Sequence, residues 1–109
     1  MMVLELQRGS QEFIEARFQT KSPDGGTTAA ASLVGTTVRL AVTDIGSSAH
    51  TWLAGGWVGT PTTAGLARTT GTRVLSLANY PNRDYIVFVE VTAGSEIVIE
   101  DAYTLRIIG

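Results

Sequence analysis

The residue types best suited to binding or catalysis here are two tryptophans, Trp52 and Trp57, a single histidine, His50, and an adjacent carboxylate pair, Glu100-Asp101. Tryptophan serves as an anchor at interfaces, as a stacking platform for sugars or bases, or as part of a sandwich core. Gly55-Gly56 lies between the two tryptophans and could fold the segment so that the rings become neighbours. One ring is expected in the core. Together with Tyr80, the pair would suit a carbohydrate or another small ligand if the rings cluster at the surface.

His50 has Asp44, Ser47 and Ser48 close by in sequence. A Ser-His-Asp relay needs its members to converge from different elements beside an oxyanion hole. Members crowded into one short loop do not meet that requirement, so His50 is expected to be solvated or hydrogen-bonded. A hydrolase would require it to be essential. Glu100 and Asp101 are neighbours, so on a strand they point to opposite faces and cannot converge on one bond.

Other chemistries lack their residues. The chain has no cysteine, which removes disulfides, thiolate metal sites and a cysteine nucleophile. A second histidine for zinc is missing, and Asp24-Gly25-Gly26 lacks the remaining ligands of a calcium loop. No phosphate-loop or dinucleotide-binding glycine pattern occurs. We therefore expect no cofactor, no metal and no catalysis. The net charge of −2 and eight scattered basic residues offer no field for nucleic acid. The apolar runs are far shorter than the ~20 residues of a membrane-spanning helix, and the first residues do not read as a signal peptide. No nucleic-acid or membrane partner is expected.

The elements that would carry these residues read as strands. Threonine, valine and isoleucine are frequent, and 12 glycines interrupt the chain at irregular intervals. Val3–Arg8 is a first short strand with Leu4 and Leu6 on one face. Glu12–Thr20 alternates, with Ile14, Ala16 and Phe18 on one side. A turn at 22–26 and a small-residue segment at 27–32 follow. Val38–Thr43 directs Val38, Leu40 and Val42 inward, His50–Val58 is a strand broken at Gly55-Gly56, and Leu66–Leu77 holds one or two more. After a turn at 80–84, Tyr85–Thr92 places Tyr85, Val87, Val89 and Val91 on one face, with Ile86 and Phe88 on the other. A glycine hairpin at 93–95 leads to Ile97 and Ile99, and a last strand, Tyr103–Ile108, places Tyr103, Leu105 and Ile107 together.

About seven to nine short strands with turns between them predict an all-β fold, an immunoglobulin-like antiparallel β-sandwich, with a small OB-like barrel as the alternative. Hydrophobic residues make up 44% of 109 residues, enough for one domain with its own core. Residues 1–109 are expected to form a single β-sandwich domain, with 1–9 an N-terminal arm or an edge strand. Ile14, Phe18, Val38, Leu40, Val42, Val87, Val89, Leu105 and Ile107 should line its interior.

Three segments carry a resemblance. They are Leu33-Val34-Gly35-Thr36-Thr37-Val38-Arg39-Leu40-Ala41-Val42, then Asp84-Tyr85-Ile86-Val87-Phe88-Val89-Glu90-Val91, and the closing Tyr103-Thr104-Leu105-Arg106-Ile107. In this order, over residues 12–108, the chain resembles the Ig-like domains of bacteriophage virion proteins, typified by the amino-terminal domain of phage baseplate upper proteins. The resemblance implies a structural, non-enzymatic role in a virion assembled in the host cytoplasm. In that family the domain is an attachment module of a larger protein. No fibre or receptor-binding region is expected after Gly109, and on that expectation the resemblance favours a small accessory subunit: a capsid decoration (cement) protein, or a head–tail or tail accessory subunit. Its partners would be capsid or tail subunits, and it would be a homo-oligomer in the particle. The candidate interaction surface is Leu4, Leu6, Trp52, Trp57, Ile86, Phe88 and Val98. The alternative is a carbohydrate- or small-ligand-binding β-sandwich using surface aromatics.

Overall fold

The computed structural model describes residues 3–7, 11–20, 31–70, 75–76 and 81–109. All regular structure among them is β: β1 Val3–Gln7, β2 Gln11–Glu12, β3 Glu15–Gln19, β4 Thr37–Asp44, β5 Trp52–Trp57, β6 Ala64–Thr69, β7 Leu75–Ser76, β8 Asp84–Ala93 and β9 Glu96–Ile108. Seven of these form one sheet in the order β1-β9-β8-β4-β5-β6-β3, and β2 pairs with β7. The large sheet curls into a half-barrel, an arrangement consistent with a small all-β sandwich or barrel. It is mixed: β1 runs parallel to β9, with Val3 opposite Thr104 and Gln7 opposite Ile108. The remaining pairs are antiparallel.

The concave side is the core. Period-two alternation delivers Val38, Leu40 and Val42 from β4, Tyr85, Val87, Val89 and Val91 from β8, and Tyr103, Leu105 and Ile107 from β9. Ile14, Ala16 and Phe18 close it from the far edge, and Leu33 and Ala67 complete it. All nine residues expected in the interior are buried there.

The curl originates in β5. Trp52, Leu53 and Ala54 pair with β4, whereas Gly55, Gly56 and Trp57 pair with β6. The expected break at Gly55-Gly56 is thus a continuous strand that changes partner. A Cβ on Gly55 would lie 2.8 Å from Leu40 Cδ1 and 2.9 Å from the Val38 carbonyl oxygen, so only glycine permits this close crossing.

The start of β3, at the far edge, is tied to β6 through Thr69. Its hydroxyl accepts from the Ile14 N–H at 3.1 Å, and its own N–H donates to the Ile14 carbonyl at 3.0 Å. Both residues are almost fully buried. Thr69→Val keeps the shape and strands the Ile14 N–H. It should cost about 1–3 kcal/mol, read as a lower urea midpoint at unchanged slope.

Two further expectations are corrected. The hairpin strand at Ile97–Ile99 and the closing strand at Tyr103–Ile108 are one 13-residue strand, β9. Its register against β8 slips between Val87 and Phe88, so that Val87 faces Tyr103 but Phe88 faces Asp101. Ala102 is the extra residue of this β-bulge, and the bulge inverts the alternation beyond it. Val98 therefore shares the concave face with Val91, and Ile97 and Ile99 take the convex face. The expected surface that joined Val98 to Ile86 and Phe88 is accordingly split between the two sides. The turn expected at 22–26, residues 27–30 of the small-residue segment and Tyr80 lie outside the described residues.

Candidate interaction surface

The convex side of β9-β8-β4-β5 is built in cross-strand rows. One row holds Trp52, Ala41, Phe88 and Asp101, and the next holds Ala54, Arg39, Glu90 and Ile99. Thr43 and Ile86 face each other beyond the first row, and Thr37, Thr92 and Ile97 form the row beyond the second. Directly opposite side chains on one face stand close enough to pack. Ala41 and Thr43 are buried although they lie on the convex side. Ala41 sits between Trp52 and Phe88 in its row.

His50 completes this cluster. Its ring lies 4.4 Å from that of Phe88 and 5.4 Å from that of Trp52, centroid to centroid. Its Nδ1 is 2.8 Å from the Thr43 hydroxyl. Arg39 grips Glu90 with both ends of its guanidinium, at 2.5 and 3.1 Å, and lies 4.9 Å over the Trp52 ring. Donating to the Glu90 carboxylate raises the Arg39 pKa further above its ordinary value. Aromatic rings beside an oriented arginine are the composition of interface anchors.

A histidine relay is not assembled. The Asp44 carboxylate pairs with Arg83 at 3.3 Å, and the Ser47 hydroxyl bonds to the Ala49 backbone. Glu100 and Asp101 point to opposite faces, Glu100 in the row of Val89 and Asp101 in that of Phe88. Among the described residues no three of His, Asp or Glu gather as metal ligands.

The tryptophans are not neighbours. Five residues apart on one continuous strand, they take opposite faces. Trp52 is on the convex cluster. Trp57 packs partly buried against the core, with its Nε1 donating to the Thr36 hydroxyl at 3.1 Å. Its ring covers Gly65, where a Cβ would meet it at 2.7 Å. Neither ring is fully buried. Of the other candidates, Ile86 and Phe88 are half-buried on the convex face, Leu4 is exposed on β1, and Leu6 packs against the core. The sequence reading overlooked Arg39, Glu90, Ile97 and Ile99. The signal for the first two was a charge embedded in each of two apolar strands that pair with each other.

Tyr103 faces the core from β9, and its phenol is pushed up to about 12, first by burial and then by the Glu15 carboxylate. The ordinary value is 10.0, so the folded chain holds this proton more tightly than the unfolded chain. The resulting stability is complete below pH 10 and is lost as pH rises from there through 12. The loss should reach about 2–3 kcal/mol. Thermal unfolding of Tyr103→Phe should lack that alkaline component when compared with the parent chain.

No protein-family model matches this chain, and no curated protein matches its sequence.

Proposed function

We propose that this protein is a non-catalytic structural subunit of a bacteriophage particle, a capsid decoration protein or a head–tail or tail accessory subunit. It acts by packing against capsid or tail subunits, as one of several copies in the particle. The observation that carries the reading is the convex face, where Trp52, Phe88 and Ile86 lie to one side of an Arg39–Glu90 pair and exposed Ile99 and Ile97 extend the surface beside and beyond it.

Two features support the Ig-like part of the reading. The Tyr85 hydroxyl, at the start of β8, donates to the Pro81 carbonyl four residues upstream at 2.9 Å. That is the geometry of the tyrosine corner in Ig-type sandwiches. The neighbour order β9-β8-β4-β5 follows the G-F-C-C′ order of a variable-type sheet. The strand patterns around Leu33–Val42 and Tyr85–Val91 resemble virion Ig-like domains and supply the phage part.

Mass spectrometry of gradient-purified particles from cells carrying the gene and its neighbours tests the proposal. The chain should co-purify in a fixed ratio to the major capsid or tail protein. Complete particles that lack it, with the protein left in the soluble fraction, would overturn the reading.

A further inference from the structure

Strand β9 is longer than the partners on its outer edge. β8 pairs along it from Glu96 to Arg106, but β1 covers the opposite edge only from Thr104 to Ile108. Among the described residues no strand pairs with that edge between Glu96 and Tyr103. Residues 96–101 are all exposed, and the apolar side chains are the most conspicuous, with Ile97 at 61%, Val98 at 43% and Ile99 at 48% exposure. An edge with free N–H and C=O groups is a template for an added strand. Proteins usually blunt such edges with charged side chains (lysine above all), with proline or with a bulge inside the edge. Residues 96–101 contain no lysine or proline, and the bulge lies beyond them at Ala102. Their charges are carboxylates, Glu96, Glu100 and Asp101, which oppose an acidic strand and leave the edge open to a basic one.

The charges identify the occupant. Glu5, Glu15, Asp44, Asp84 and Glu90 each pair with an arginine. Among the described acids whose side chains are placed, Glu96, Glu100 and Asp101 are the three that form no ion pair with a described residue. They flank Ile97-Val98-Ile99 on this edge. A second copy offering the same edge would set carboxylates near carboxylates, and like charges across a strand pair are destabilising. A strand bearing basic groups at both ends of an apolar centre is complementary on both faces. Its residues opposite Glu96 and Glu100 would be basic on the concave side, where Glu96, Val98, Glu100, Phe18, Leu33 and Val91 line an open cleft of about 270 Å³. Opposite Asp101 it would be basic on the convex side, and opposite Ile97 and Ile99 apolar.

We infer that residues 96–101 of β9 are a docking edge for an extended segment of a partner protein with the pattern basic-basic-apolar-apolar-apolar-basic, added to the sheet as a strand. The inference concerns how a partner is held and stands independently of whether that partner is a virion protein.

The probe is the capped peptide Lys-Lys-Ile-Val-Ile-Lys, with Glu-Glu-Ile-Val-Ile-Glu as its charge-reversed counterpart. Amide hydrogen exchange of the intact chain should slow at residues 96–101 on adding the basic peptide, and not on adding the acidic one. In E96K/E100K, with thermal unfolding checked against the parent, affinity for the basic peptide should fall about tenfold and the acidic peptide should bind in its place. The inference is overturned by unchanged exchange at 96–101 with saturating basic peptide, or by binding indifferent to the charge reversal. Protection at 96–101 that depends on protein concentration without peptide would make a second copy the occupant and overturn it equally.

Discussion

Leu40→Ala should destabilise the protein by about 2–5 kcal/mol, the range for removing a fully buried leucine when its surroundings relax only in part. Leu40 is completely buried at the middle of β4, paired with Val89 on one side and Leu53 on the other. It therefore lies where the two halves of the curled sheet share one core, held between paired strands on both sides. Chemical denaturation should show the loss as a reduced midpoint at constant slope. A loss below about 1 kcal/mol would mean that Leu40 is not packed as described.

Gly55→Ala should cost about 1–3 kcal/mol, the range for forcing an extra methyl group into a packed site. Two of the three atoms nearest the new Cβ are backbone, the Val38 carbonyl oxygen at 2.9 Å and the Arg39 Cα at 3.2 Å, so a rotamer change cannot relieve them. The third is Leu40 Cδ1 at 2.8 Å. The two substitutions are thus coupled. Leu40→Ala removes the side-chain half of the clash, and the double variant should lose less than the sum of the single losses. Strict additivity would show that the methyl group at position 55 is accommodated by moving β5 away from β4. The Arg39–Glu90 pair spans the neighbouring strands, so such a movement would also appear as altered fluorescence of Trp52, which lies under Arg39.

Alternation along individual strands determined much of this protein before any tertiary contact was considered. Val38, Leu40, Val42, Val87, Val89, Leu105 and Ile107 are inward because a pleated strand assigns successive side chains to opposite faces. The turn residues at 81–83 and 93–95 separate the last strands for equally local reasons. The embedded charges Arg39 and Glu90 were visible as sequence, but their meeting was not, because strand register is a property of the pair.

Four features came only from the tertiary structure. Gly55-Gly56 looks like a break, and becomes the place where one strand leaves β4 for β6, because the backbones approach too closely for a side chain. Trp52 and Trp57 looked like a pair, and the continuity of β5 separates them to opposite faces. The most consequential case is Ala102. Unbroken alternation would set Ile97 and Ile99 on the same face as Tyr103 and Leu105. A single bulged residue reverses that parity, turns both isoleucines to the convex face and directs Val98 inward. No composition or periodicity announces such a bulge, since its position follows from how β9 must align with β8 on both sides of it. The exposed edge at 96–101 is likewise a matter of lengths: β9 has 13 residues, whereas β1 has 5 and reaches only its last part.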